Sequence, residues 1–308
     1  MPSASSALNP APTAHELSFR SGGLGCVATL ALPTGTGPHP GVLITHGFAC
    51  DRRMRLDPYV ATLTARGFAV LTFDPRHVGE SDGQPRNLVD PETLVDDTLA
   101  ALALLRSRPE VGDEIGVIGF SLGGGIALEA AVRDGGLAAV AHVVGFVAPR
   151  PRSEDDRNAL LAIVGADLHA DAAGEPPVML PICAPVGEPG LISASDAMAG
   201  RYLLDERGDH VNATPARSLV GLASFTPAAR ATELTCPTYF YVCRTDSAVD
   251  ARATLVLAAR LPDARIETYD GGHFDVFSPE RAPTIATTLA DFLDAALRAA
   301  PPTARSSR

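Results

Sequence analysis

Ser121, Asp246 and His273 are the residues whose types, order and settings could together carry out nucleophilic acyl transfer. Ser121 is the centre of Gly119-Phe120-Ser121-Leu122-Gly123, which follows the apolar run Glu114–Ile118 and precedes Gly124–Ala131, a stretch that reads as a helix. A G-x-S-x-G between a strand and a helix is the pattern of a nucleophile elbow. The turn is too sharp for a Cβ at the flanking positions, and it holds the serine in strained backbone geometry with its Oγ exposed. A serine hydroxyl is a weak nucleophile at neutral pH. It needs a base within hydrogen-bond reach and a third group to fix the tautomer of that base. In a strand–elbow–helix architecture these partners follow in the order serine, acid, histidine. Asp246 lies just after the predicted strand Pro237–Val242, and His273 just after the predicted strand Arg265–Tyr269, behind Gly271-Gly272. Both therefore fall past the C-terminal ends of strands, where α/β sheets bind ligands.

Acyl transfer also needs donors for the oxyanion. The backbone N–H of Leu122, after the nucleophile, is one candidate; the N–H of Phe48, in the loop Thr45-His46-Gly47-Phe48, is the other. Other titratable residues have plainer readings. His46 is expected to shape its loop, while His77, His142, His169 and His210 have no support from order or context. Asp250 is expected to be a helix N-cap, and Asp155 and Asp156 to be charged residues leading into the following segment. Asp74 is expected to fix a loop through a hydrogen bond or an ion pair. Arg52, Arg53, Arg55 and Arg76 could bind an anion, but surface pairing with Asp51, Asp57 and Glu80 is the preferred reading. Ser21-Gly22-Gly23-Leu24-Gly25 reads as a hairpin turn rather than a nucleotide loop.

The elements that must position these groups alternate along the chain. A hairpin is expected at 16–32, strands at 41–45, 68–73, 114–118, 138–147, 237–242 and 265–269, and helices at 58–66, 91–106, 250–261 and 279–299. Short apolar strands separated by helices imply an α/β fold, a mostly parallel central sheet with helices on both faces. Residues 149–230 break the rhythm with many prolines and glycines. A long irregular stretch inside a domain is usually functional or a subdomain, and this one is expected to be a cap over the site. The resulting organisation is a lead-in at 1–15, a core at 16–148 and 231–299, a cap or lid insertion at 149–230, and a tail at 300–308, with both ends expected to be disordered.

Composition narrows the chemistry. The 308 residues are 46% hydrophobic and 20% charged, with a net charge of −11 and a pI near 5.1. This acidic balance argues against a nucleic-acid partner. No apolar run reaches the length of a membrane span, and the first residues lack the regions of a signal peptide. All 25 basic residues are arginine. That excludes a Schiff-base lysine, a Walker-A lysine and a Ser-Lys dyad. The five cysteines are scattered, without C-x-x-C, which suggests reduced thiols and a cytoplasmic location. No motif has metal-ligand spacing, and neither a metal nor a cofactor is expected.

With these residues in place, the chain resembles the α/β-hydrolase superfamily over roughly residues 16–299. The resemblance rests on His46-Gly47, the elbow at 119–123, Asp246 and His273. The stretch from Phe73 to Gly83 is similar to a D-x-R-G-x-G-x-S-x-G segment of these enzymes, departing from it at His77. The first half looks like hydrolase-like acyltransferases and thiohydrolases of polyketide pathways. The second half looks like dienelactone-hydrolase-like proteins, although those use cysteine where this chain has Ser121. The resemblance implies a cytoplasmic serine hydrolase acting on a small-molecule ester or thioester, with Ser121, His273 and Asp246 as triad and Phe48 and Leu122 as oxyanion donors. The rivals are an acyltransferase or thiohydrolase in a biosynthetic pathway, and a protein of this fold that only binds a ligand.

Overall fold

Three runs, Ala69–Phe73, Ala139–Val143 and Thr238–Cys243, are buried at every residue, as strands covered by helices on both faces must be. In the computed structural model, which describes residues 13–298, the first half of the chain forms β1 (Thr13–Ser21), β2 (Leu24–Leu32), β3 (His39–Thr45), α1 (Asp57–Ala65), β4 (Ala69–Phe73), α2 (Pro91–Arg106), β5 (Val111–Phe120), α3 (Leu122–Asp134) and β6 (Ala139–Val143). An insertion follows with α4 (Glu154–Ala172), β7 (Met179–Pro181), β8 (Cys183–Ala184), β9 (Ile192–Ser193), α5 (Ala197–Leu204), β10 (Ala213–Pro215) and α6 (Ser218–Ser224). The chain then returns through β11 (Thr238–Cys243), α7 (Ala251–Ala258), β12 (Ala264–Tyr269) and α8 (Ala282–Arg298).

Eight strands form one sheet in the order β1-β2-β4-β3-β5-β6-β11-β12. The pairings β1–β2 and β2–β4 are antiparallel and the rest are parallel. Alternate residues feed two cores. Val42, Ile44 and Val70 face Tyr59 and Leu63 of α1 and Ile285, Leu289 and Leu293 of α8. Leu43 and Leu71 face Leu102 and Leu105 of α2, Leu128 of α3 and Leu257 of α7. Local signals set the helix ends. Pro91 opens α2 while Asp90 Oδ1 accepts the Thr93 amide at 3.0 Å, and Gly135 closes α3 with φ 63°.

Several boundaries differ from expectation. β1 begins at Thr13, so residues 13–15 belong to the sheet rather than to a lead-in, because the Thr13↔Leu32 pairing extends the hairpin. The remaining lead-in, the tail and Ala299 lie outside the described residues. β6 stops at Val143, where Val144 turns to φ 41°. The insertion is less irregular than its prolines imply. Leu160, Val164, Leu180 and Ala216 form a small core of their own, and buried Asp167 accepts the Val178 and Arg217 amides at 2.7 and 2.8 Å. No helix among the described residues is long and apolar enough to cross a membrane.

Asp74 fixes its loop, as expected, but its partner is not on the surface. Arg52 is buried; its amide donates to Asp74 Oδ1 at 2.7 Å and its guanidinium pairs with Asp74 and Glu80. The Glu80 amide donates to Asp74 Oδ2 at 2.9 Å. Burial pushes the Asp74 carboxyl up, against the pull of those donors and of Arg52. Arg53 pairs with Asp51 and Glu80, whereas Arg55 pairs with Glu206 and Arg76 with the fully buried Asp97. Breaking a buried pair from one side leaves an uncompensated charge, so Asp74→Ala is expected to destabilise the fold by about 3 kcal/mol. Urea unfolding measures this; a loss below about 0.5 kcal/mol would mean that Glu80 alone neutralises Arg52.

Candidate active site

Ser121 sits at φ 53° and ψ −124°, a conformation that an L residue holds only when its surroundings impose it. Two backbone bonds do so. The Ser121 amide donates to Val143 O at 3.1 Å, and the Phe146 amide donates to Ser121 O at 2.8 Å. The flanking glycines are steric requirements. A Cβ at Gly119 would lie 2.1 Å from Gly123 O, and one at Gly123 would lie 2.5 Å from the carbonyl oxygens of Thr45 and His46.

The three sequence candidates meet at this turn. Ser121 Oγ is 3.0 Å from His273 Nε2, and His273 Nδ1 is 2.8 and 3.0 Å from the two oxygens of Asp246. Asp246 Oδ1 also accepts the amides of Ala248 and Val249, each at 2.8 Å. His273 is 2% exposed and Asp246 8%. A buried carboxylate facing Nδ1 makes that nitrogen the donor, which leaves Nε2 as the acceptor for the serine hydroxyl. Arg150 steadies the acid loop by donating to Ser247 O. Beside His273, Tyr269 donates its hydroxyl to Gly272 O at 2.9 Å. Sequence reading missed Arg150 because nothing local marks a contact across 97 residues.

The oxyanion candidates flank the same serine. A Cβ on Gly47 would fall 3.3 Å from Ser121 Cβ, so the Gly47–Phe48 segment passes directly over Ser121. The Phe48 amide has no acceptor among the described residues. Leu122 opens α3, where amides lack a partner one turn back and the helix dipole favours negative charge. His46 shapes this loop, as expected. Its Nε2 donates to Met54 O at 2.6 Å, its Nδ1 accepts the Gly47 amide at 2.6 Å, and its ring stacks on Phe277. From the insertion, His210 Nε2 donates to Ala49 O at 2.8 Å.

The competing candidates have structural duties. Asp250 caps α7 by accepting the Ala253 amide at 3.0 Å. Asp155 and Asp156 lie in the first turn of α4. His77, where the chain departs from the family segment, takes φ 69°, a backbone suited to glycine. All five cysteines are free thiols. Burial pushes Cys183 and Cys236 up to about 11 and Cys26 to about 12, and raises Cys50 and Cys243 as well, so all five thiols stay protonated near neutral pH. No group of three or more metal-ligating side chains occurs among the described residues. A cavity of about 460 Å³ lies between Arg52–Asp57 and Leu204–Arg207, but its lining includes none of Ser121, Asp246 and His273.

The sheet order, the elbow and the Ser–His–Asp contacts define an α/β hydrolase. Residues 36–279 match the family model described as serine aminopeptidase, S33, and the chain belongs to that family of α/β hydrolases. The quorum-quenching protein AidA of Acinetobacter baumannii is 33% identical over 293 residues, covering 93% of this chain and 96% of AidA. The polyketide transferase af380 of Aspergillus fumigatus is 32% identical over 157 residues, 51% of this chain and 52% of that protein. The solved complex of DcsB with its substrate analogue superposes with a TM-score of 0.83 at 22% identity, covering 93% of this chain and all of the other.

His142, behind the elbow, gives the fold a pH-dependent stability. It stands opposite Gly119 in the β5–β6 register, fully buried against Phe240, and neither ring nitrogen has a hydrogen-bond partner. Burial lowers its pKa from 6.5 to about 4. His46, partly accessible to solvent, is also lowered to about 4 by burial. A histidine with a depressed folded pKa binds its proton more readily in the unfolded chain. The stability it contributes is therefore complete above pH 6.5 and is lost as pH falls towards 4. For His142 that loss is expected to reach about 3 kcal/mol. Urea unfolding across this range should show His142→Leu with a shallower slope than the wild type. Parallel slopes would exclude His142 as the titrating group.

Proposed function

We propose that this protein is a serine hydrolase that cleaves a carboxylic ester or thioester through an acyl-enzyme. The observation that carries the reading is the unbroken contact from Asp246 through His273 to Ser121 Oγ, at 2.8 and 3.0 Å, on a strained elbow. Ser121 Oγ attacks the carbonyl carbon as His273 Nε2 takes its proton. Asp246 holds the imidazole in the required tautomer and stabilises the imidazolium. The N–H groups of Phe48 and Leu122 receive the developing oxyanion. His273 then protonates the leaving alcohol or thiol. Water, deprotonated by His273, attacks the acyl-enzyme and releases the acid, and Ser121 recovers its proton. The side chains of the triad, the two backbone N–H groups and water carry each of these steps. The insertion, packed on the loops that carry His273 and Phe48, acts as a cap that selects the small-molecule acyl substrate.

A second reading, transfer of the acyl group to another acceptor, draws support from the similarity to a polyketide transferase over about half of each chain. It shares the acyl-enzyme and differs in the nucleophile that resolves it. The near full-length relative AidA is a quorum-quenching protein, which adds quorum-sensing signal molecules to the substrates worth testing.

Fluorophosphonate labelling is expected at Ser121 in the wild type and to be absent in Ser121→Ala. On an activated aryl ester, Ser121→Ala is expected to lose on the order of a millionfold in kcat. A wild type that resists labelling, or a Ser121→Ala variant that keeps its turnover, contradicts the mechanism. Product analysis with added alcohols, amines and thiols separates hydrolysis from transfer: the hydrolase yields free acid whatever the acceptor.

A further inference from the structure

The groups that aim the Phe48 N–H can be traced outward from it, one peptide at a time. In a trans peptide the C=O and the N–H point in opposite directions, so a bond made at one end orients the other. Among the described residues the cis peptides are Gly37-Pro38 and Gln84-Pro85, so both peptides considered next are trans. The Phe48 N–H shares a peptide with Gly47 C=O. That carbonyl accepts the Cys50 amide at 3.2 Å. The Cys50 N–H in turn shares a peptide with Ala49 C=O, which accepts His210 Nε2–H at 2.8 Å. Four groups thus line up: the His210 imidazole, the Ala49–Cys50 peptide, the Gly47–Phe48 peptide and the site above Ser121.

We propose that His210 is a positioning residue for the oxyanion hole, acting through this two-peptide relay from the insertion to the Phe48 N–H. Three further observations support it. Ala49 sits at φ 52°, a left-handed backbone that a non-glycine residue keeps only under external restraint, and His210 supplies a restraint at its carbonyl. His210 is itself braced: its amide donates to Asp205 Oδ1 at 3.3 Å and its carbonyl accepts Arg201 Nη2 at 3.2 Å. Hydrogen bonds in series polarise one another, so the imidazole N–H strengthens as well as aims the terminal donor. The same stretch of the insertion holds the far side of the loop through Arg207 Nη2 and Asp51 Oδ2 at 3.0 Å, but that ion pair is not part of the relay.

The inference rests on the reading of Phe48 as an oxyanion donor, and the experiment keeps the two apart. His210→Ala, His210→Gln, His210→Asn and Arg207→Ala are compared with the wild type on an activated aryl ester, with phenylboronic acid as the oxyanion-bearing inhibitor, and by thermal unfolding. His210→Ala is expected to lower kcat and phenylboronic acid affinity by about 10-fold each, with KM changed by less than about 2-fold. His210→Gln, which keeps an N–H at similar reach, restores most of both. His210→Asn, too short to reach Ala49 O, does not. Arg207→Ala loosens the same segment yet leaves kcat within about 2-fold of the wild type. Wild-type kcat and boronate affinity in His210→Ala overturn the relay. So do equal losses in His210→Ala and Arg207→Ala, which would reduce the effect to general anchoring. If His210→Ala does not fold, the Gln and Asn variants decide, and equal activity in the two overturns the relay. A wild type that is not labelled by fluorophosphonate at Ser121 defeats the hydrolase reading and the relay together. Normal labelling with no difference among the His210 variants defeats the relay alone.

Discussion

A serine at φ 53° stays there only if its neighbours leave it no alternative, and the two backbone bonds from Ser121 to the end of β6 are what remove the alternatives. Much of the site depends on them. They require β6 to stop at Val143 and the chain to turn at Val144, so that Val143 O and the Phe146 N–H both face the elbow. They require β5 and β6 to be parallel and in a register that sets Phe120 beside Val143. They also require glycine on both sides of the turn, where Gly123 would otherwise collide with the strand end at Thr45. The elbow is thus a junction of three neighbouring strands, and the strain it stores is balanced by the parallel ladder around it.

The same geometry explains why Asp246 and His273 arrive from β11 and β12. In the strand order β5-β6-β11-β12 the serine, acid and histidine loops leave the same end of the sheet, since all four strands are parallel. Asp246 follows β11 and His273 follows β12, and each is carried on a short loop that holds its own backbone. Asp246 is fixed by the Ala248 and Val249 amides, and His273 opens a turn in which Tyr269 grips Gly272. Burial of the carboxylate keeps water from competing for the imidazole, so position alone makes Nδ1 the donor and leaves Nε2 as the acceptor.

The sequence was legible where local physics decides the outcome. The elbow could be read because glycine at two fixed positions is a steric demand, and Asp246 and His273 because strand ends are marked by the change from apolar runs to Gly, Asp and Thr. The hairpin turn at Gly22-Gly23 and the cap at Asp250 followed from the same local rules. Long-range contacts were not legible. Arg52 looks like one of a cluster of surface arginines, and only the fold brings Thr29, Asp74 and Glu80 around it. Prolines and glycines made residues 149–230 read as irregular, whereas Asp167 organises them by accepting from Val178 and Arg217, up to 50 residues away. His210 lies 161 residues from the carbonyl it holds, and no spacing rule reaches that far.

The insertion is not an independent cover laid over finished machinery. Its helix α5 packs so closely on the histidine loop that a Cβ at Gly200 would fall 2.1 Å from the ring of Phe274, the residue after His273. Asp196, at the start of that helix, lies against Gly272 on the other side of the same histidine. A few residues further on, Arg55 of the core donates to Leu203 O at 2.9 Å, and Asn87 donates to Val211 O and Ala213 O at 3.1 and 3.0 Å. One segment therefore braces the His273 loop and is tied to the loops that follow β3 and β4. If the insertion selects the substrate as proposed, the α5 residues that shape that selection are the ones that pack on Phe274 and Gly272, so a change in α5 reaches the His273 loop. Under the proposed function this packing would couple specificity to rate, because insertion variants made to admit bulkier substrates must repack against Phe274 to keep His273 in place.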